Sequence, residues 1–394
     1  MKRPHLVHFL SILTEENLHI KSSMTLKENL ISQGKNPGLA LEIAQGIVKG
    51  IEKEIPKARF PIQAFRMLVG EYFSMKIIGL DSERNEIYKK TFESNSRGQF
   101  NFKIPLNEHR REISVIQIYE VGTAPGLEIH LGTFIPLKIS DPKKIVICDF
   151  DKTLVDTKYS TTKEVYRSLT KPLTYFPTVT KSVEIIRQYI DDGHYPFILS
   201  ASPHFYEDAM RDWLYQNQIY SAGIFLKDYR QVFNFLDGDL TPKDLKIQGL
   251  YKLNHLLDIL MMTGVPSKLV LMGDNFESDP IIYLSLSKLI IEGMDPWKLW
   301  KELGDMEAFQ MNKKQSSQLL NKFYQLSNEI KRWKSSENYK PCELKIWIRK
   351  KVNEDKIEVP SFFDDQLQLV ELYEGMIPVK TITSSAEVQE QIKE

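Results

Sequence analysis

The sequence predicts an α/β chain: a doubly wound parallel sheet, preceded by a small antiparallel β-domain and a helical N-terminal region. Three observations carry this. From about residue 141 onward, short apolar runs alternate with helical patterns, the order that a parallel sheet with right-handed crossovers requires. Between Tyr72 and Leu137, strand-like segments follow one another across turn residues, with no helical pattern between them. Before them, Leu39, Ile43, Ile47, Ile51 and Ile55 recur at every fourth position, one stripe of an amphipathic helix.

Taken in order, residues 1–70 read as helical, with Asn36-Pro37-Gly38 a start signal and Pro56 a stop. In 71–140 the segments 75–78, 100–104, 113–119 and 127–131 read as strands. Turns at Asn95-Ser96-Arg97-Gly98 and Thr123-Ala124-Pro125-Gly126 separate them, and the pattern fits a small sandwich. Asp141-Pro142 punctuates the chain before an α/β domain over 141–287. There, strands at 145–148, 197–199, 224–226 and 269–272 alternate with helices around 179–192, 205–217 and 245–262. A polar helical insert fills 288–342. Residues 343–394 supply a last strand at 344–349, a short strand candidate at 378–382 and a tail.

Composition excludes several classes. Lys+Arg and Asp+Glu balance at 52 each over 394 residues, so no global field favours nucleic acid, and any basic patch is local. Two distant cysteines, Cys148 and Cys342, rule out a disulfide framework and fit a reducing compartment. The apolar stretch after Met1-Lys2-Arg3 is short and runs into Glu15 and Glu16, unlike a signal peptide, and no run reaches the ~18 apolar residues of a membrane span. The expectation is a soluble, cytoplasmic protein with peripheral membrane contact.

Chemistry concentrates where strands end, because ligands of open α/β sheets bind beyond the carboxyl ends of the strands. The apolar run 145–148 delivers Asp149 and Asp151, two positions apart and so on one side of an extended chain. Two adjacent carboxylates repel each other, and a divalent metal between them is the economical remedy. Asp274 and Asp279 follow the strand at 269–272 and would complete an oxygen shell for Mg²⁺; Asp279-Pro280 reads equally as the start of a helix. Ser200 ends the strand at 195–199, where a hydroxyl and the backbone N–H groups around Ala201 suit a phosphate oxygen. Ser200 and Ser202 would as readily cap a helix beginning near Pro203. A lysine must offset this charge: Lys252 is preferred for its spacing to the Asp274 strand, with Lys243 and Lys246 as competitors.

These residues carry a resemblance. Asp149-Phe150-Asp151-Lys152-Thr153, Ser200, Lys252 and Gly273-Asp274 with Asp279 reproduce, in order, the four motifs of the haloacid dehalogenase (HAD) superfamily. More narrowly, Ser200-Ala201-Ser202-Pro203, Gly223-Ile224-Phe225-Leu226-Lys227-Asp228, the run from Gly273 to Tyr283 and Ile346-Trp347-Ile348-Arg349 resemble the catalytic-domain family of the actin-patch-associated phosphatidate phosphatases. The resemblance implies a HAD-like Rossmannoid sheet and a Mg²⁺-dependent phosphomonoesterase acting on a phosphorylated lipid, phosphatidate; a soluble phosphometabolite is the alternative. It implies that Asp149 is the nucleophile, Asp151 the acid and base, and Thr153 the residue fixing the motif loop. Ser200, Ala201 and Lys252 would bind substrate, and Asp149, Asp151, Asp274 and Asp279 would form the metal site. One departure is Lys152, where this family usually carries a further Asp; another is the long insert. Neither slot between the motifs houses a full cap domain, so the site is expected to be open, which suits a bulky phosphomonoester.

Overall fold

The computed structural model describes residues 3–27, 71–106, 112–122, 126–157, 173–203, 207–220, 223–227, 249–276, 278–306, 309, 313–337, 339–350 and 357–375. Its first elements are strands: β1 (Arg3–Leu13) and β2 (Asn17–Lys27) form an antiparallel hairpin. This corrects the helical reading of the chain's beginning. The periodic stripe at 39–55 lies outside the described residues, and the helical pattern does not extend back to residue 3. The hairpin alternates with a period of two. Leu18, Ile20 and Met24 of β2 face one core, while Leu10 and Ile12 of β1 face another, so each strand is apolar on a single side per core.

The β-domain follows with β3 (Ser74–Leu80), β4 (Glu86–Glu93), β5 (Gln99–Pro105), β6 (Val115–Glu120), β7 (Ile129–Phe134) and β8 (Leu137–Lys138). Two four-stranded sheets, β5-β2-β1-β8 and β4-β3-β6-β7, enclose a shared core of Leu18, Ile20, Phe73, Met75, Ile77 and Ile116. The N-terminal hairpin supplies half of one of these sheets. β4 escapes sequence reading because its pattern, Glu-Ile-Tyr-Lys-Lys-Thr-Phe-Glu, carries the charges that guard an exposed edge. Asn95 makes the expected turn: its side chain accepts from Arg97 N and Gln99 N, and Gly98 takes φ +69°.

The six-stranded parallel sheet has the order β11-β10-β9-β12-β13-β14, built from β9 (Lys144–Asp149), β10 (Tyr195–Pro203), β11 (Gly223–Lys227), β12 (Lys268–Asp274), β13 (Glu343–Lys350) and β14 (Val370–Glu374). Its helices are α1 (Thr180–Asp191), α2 (Glu207–Gln216), α3 (Gly249–Thr263), α4 (Asp279–Ser287), α5 (Pro296–Gly304) and α6 (Lys313–Lys334). The strands are buried on both faces. Val146, Cys148, Ile198 and Met272 meet α1 and α2, whereas Ile145, Ile147, Leu199 and Leu271 meet α3 and α4. That division makes the sheet doubly wound, as expected.

Two details differ from expectation. In the insert, α6 is less polar than its sequence reads: it buries Leu319, Phe323, Leu326 and Ile330 in the same core as α3. The last strand, β14, was not read, since 370–374 is short and follows a 3₁₀ turn over Ser361–Leu369. The candidate strand at 378–382 and the competing lysines 243 and 246 lie outside the described residues. Among the described residues no helix is long and apolar enough to cross a membrane, and both cysteines are buried thiols.

Candidate active site

β9 and β12 lie side by side at the middle of the sheet, so their carboxyl ends bring Asp149 and Asp274 together. α4 starts just beyond β12 and turns Asp279 back over the same end; all three carboxylates are fully buried. One oxygen from each lies within 4.8 Å of the others. Lys252 reaches in from α3 and is 1% exposed, with Nζ 2.9 Å from Asp149 Oδ1 and 2.6 Å from Asp279 Oδ1. Lys252, the lysine preferred from spacing, thus lies among these carboxylates.

Backbone contacts hold the cluster. Asp279 Oδ2 accepts from Asp274 N at 3.3 Å, and Asp274 Oδ1 accepts from Phe276 N at 2.6 Å. Asp279 is therefore a buried acceptor within the first turn, with Ser278 at the helix cap. Gly273 makes the approach possible: a Cβ there would overlap Asp279 and lie 2.7 Å from the Tyr283 ring. Tyr283 in turn donates to Met272 O at 2.8 Å.

Asp151 belongs to a neighbouring group. Its Oδ2 accepts from Ser200 Oγ at 2.7 Å and Ser202 Oγ at 3.3 Å, and its Oδ1 accepts from Thr157 Oγ1 at 3.3 Å. Its carboxylate is thus turned toward the end of β10, and the three-carboxylate cluster forms without it. Pro203 is still part of β10, and α2 is described from Glu207 onward. Thr153 donates to Asp149 Oδ2 at 3.3 Å, which ties the loop after β9 to the strand end. Tyr251 donates to Ser200 O at 2.9 Å, one helical position before Lys252.

The electrostatics follow from the groups brought together: among the described residues, three buried carboxylates lie beside the Lys252 ammonium. Burial first, and then the negative field of Asp149 and Asp279, pushes the Cys148 thiol well above its ordinary pKa. The Tyr283 phenol is pushed up by burial and then by Asp279 and Asp149. Such an oxygen-only, negatively charged set suits a hard divalent cation, which would offset charge that Lys252 alone leaves.

Sequence reasoning missed Thr157, which carries no motif signal, and misplaced Arg349. The run Arg349-Lys350-Lys351 reads as a basic surface cluster, but Arg349 is 5% exposed and donates to Lys152 O and, at 2.9 Å, to Asp156 Oδ1. Lys144, of the basic pair Lys143-Lys144, is engaged by Asp192 at 3.1 Å.

Against known proteins, one family model matches part of the chain. Residues 144–291 match the phosphatidate phosphatase APP1 catalytic domain. That stretch runs from β9 through α4, carries every residue placed in the site from the sequence, and bears out the expectation of a phosphatase. β1 to β8, α5, α6, β13 and β14 lie outside it. No curated protein matches. Among solved structures, a Parabacteroides merdae beta-glucuronidase overlaps 96% of this chain and 43% of its own, at 9% identity and a TM-score of 0.28. The same enzyme with glycerol in its active site overlaps 68% and 33%, at 10% identity and 0.21. A family 2 glycosyl hydrolase from Bacteroides cellulosilyticus overlaps 94% and 38%, at 8% identity and 0.25. The chain spans less than half of each, and at these TM-scores they inform neither fold nor function.

Proposed function

We propose that the protein is a Mg²⁺-dependent phosphatidate phosphatase of HAD-like fold that works through an aspartyl-phosphate on Asp149. The observation supporting this reading is the buried Asp149 carboxylate beside Lys252, Asp274 and Asp279, with a second, differently held carboxylate, Asp151, two residues on. Asp149, Asp274 and Asp279 would hold the ion, with the Asp151 backbone carbonyl as a further oxygen. When bound, Mg²⁺ supplies charge neutralisation at the transferring phosphoryl group.

The protein's own groups account for the rest. An Asp149 oxygen attacks phosphorus as the ester P–O bond breaks, and Asp151 gives its proton to the departing diacylglycerol oxygen. Asp151 then takes a proton from the water that attacks the phosphorus of the aspartyl-phosphate, which releases phosphate and restores Asp149. Ser200, the Ala201 backbone and Lys252 bind the equatorial oxygens, where transition-state charge spreads. Ser200 and Ser202, donating to Asp151, hold it on the side from which the leaving group departs.

The protein acts in this reading as a cytoplasmic enzyme that meets its lipid at the bilayer surface. Lys152, standing where the resembling family carries an acid, favours testing a soluble phosphometabolite alongside. The experiment is hydrolysis of phosphatidate vesicles against a panel of soluble phosphate monoesters, with and without Mg²⁺, beside Asp149→Asn. Mg²⁺-dependent release of phosphate that falls by at least about 10⁴-fold in the variant is expected for loss of a nucleophile. Turnover equal to wild type in Asp149→Asn would remove the nucleophile assignment, and faster turnover of a soluble ester would remove the lipid.

A further inference from the structure

We infer that Arg349 is a positioning residue for the catalytic loop, supplied by a strand beyond the stretch that the family model matches; the inference rests on the phosphatase reading of Asp149 and Asp151. Arg349 sits near the end of β13, in register with Asp274. Its guanidinium reaches across to the loop after β9, where Nη1 donates to the Lys152 carbonyl and Nη2 to Asp156 Oδ1 at 2.9 Å.

These two acceptors bracket the loop. Lys152 directly follows Asp151 and takes a left-handed φ of 60°, a backbone conformation a non-glycine residue keeps only when its surroundings impose it. Asp156 directly precedes Thr157, whose hydroxyl donates to Asp151, and between them lies Thr153, which donates to Asp149. One planar fork therefore fixes both ends of the turn whose two threonines aim the two carboxylates. A lysine would keep the charge at a single point and lose the rigid plane whose two nitrogens reach the two acceptors separately.

The same residue joins the second loop of the site. Its backbone O accepts from Asn275 N at 2.9 Å, immediately after Asp274, and the Phe276 ring lies 5.5 Å from the guanidinium carbon. On its other side, a Cβ at Gly375 would meet the Arg349 side chain, so the guanidinium is packed from that side as well. An ordinary structural ion pair would tie β13 to any nearby loop. This one ties together the two loops that carry Asp149, Asp151 and Asp274.

The test uses the full chain with Arg349→Lys and Arg349→Met, read in two ways. With p-nitrophenyl phosphate and Mg²⁺, kcat is expected to fall about 10- to 100-fold in both variants while KM stays within about twofold, the signature of misaligned rather than unbound substrate. Hydrogen exchange of a peptide covering 150–157 is expected to speed up in both variants, with the exchange of β9 unchanged. If Arg349→Lys keeps wild-type kcat, or if 150–157 exchanges as in wild type, the inference is overturned. Should Arg349→Met fold poorly, Arg349→Lys alone decides. A wild-type protein with no Mg²⁺-dependent turnover would sink the phosphatase reading instead, and the exchange measurement would still judge the clamp.

Discussion

Lys252 is the single cation touching both Asp149 and Asp279 among the described residues, and it gets there because Gly273 lets Asp279 close onto the β12 backbone. Gly273→Ala places a methyl against the Asp279 side chain and 2.7 Å from the Tyr283 ring, so carboxylate and ring must both move. Overpacking of this kind costs about 1–3 kcal/mol, and the displaced Asp279 takes Lys252 with it. The expected outcome is a folded protein, lower in urea midpoint, with turnover reduced far more than stability; unchanged turnover would show that the close approach is incidental. At this scale most of the site was legible. Asp149, Asp151, Asp274 and Asp279 announce themselves because strand ends leave carboxylates with nowhere neutral to go. Arg349 falls in a stretch that carries the family resemblance, but its burial was not legible, since a buried arginine and a surface one share the same local sequence; Thr157 carries no motif signal at all.

At the level of elements, the N-terminal hairpin ties the sandwich to the helix that carries Lys252. Lys21 of β2 donates to Asp258 Oδ2 at 2.9 Å, and Lys322 of α6 donates to Asp258 Oδ1 at 2.6 Å, so three elements meet on one carboxylate. Burial alone would raise the Asp258 pKa; Lys21 and Lys322 more than reverse this and hold it below the ordinary carboxylate range. Asp258→Ala leaves two lysines facing each other in a largely buried place and is expected to cost about 3–5 kcal/mol in denaturant unfolding. Lys21→Met should cost less, because Lys322 still pairs. A loss under about 1 kcal/mol for Asp258→Ala would mean that water already screens the cluster. The parallel sheet and its helices were readable because apolar runs and amphipathic stripes are local signals. The hairpin was not: its alternation becomes decisive only when β5 on one side and α3 on the other are in place, and both lie far along the chain.

For the whole molecule, charge is balanced near pH 7, so as pH first falls, stability depends on individual buried groups, and net repulsion joins them once the carboxylates titrate. Two of the buried groups sit on the hairpin's face toward the α/β domain. Burial, and then Lys103, lowers His19 from 6.5 to about 4, at a cleft of about 840 Å³ that it lines with Lys103 and Trp333. Burial would raise Glu207, at the start of α2, but His8 at 2.7 Å and then Arg211 lower it from 4.5 to about 2. The signs agree. The unfolded chain protonates His19 first, so its contribution is complete above pH 6.5 and is lost as pH falls toward 4. Glu207 contributes fully above pH 4.5, and that stability is lost as pH falls toward 2. Each shift corresponds to at most about 3 kcal/mol. Urea midpoints should therefore be level above pH 6.5, fall first between 6.5 and 4, and fall again below 4.5. His19→Gln should reduce only the first slope, which His194 shares, and Glu207→Gln only the second, which Asp258 shares. A midpoint that stays level from pH 7 down to 5 in the wild-type chain would show that the hairpin face admits water. The sandwich and the α/β sheet would then be joined by the apolar contacts of Leu10 and Ile12, with little help from the charges beside them.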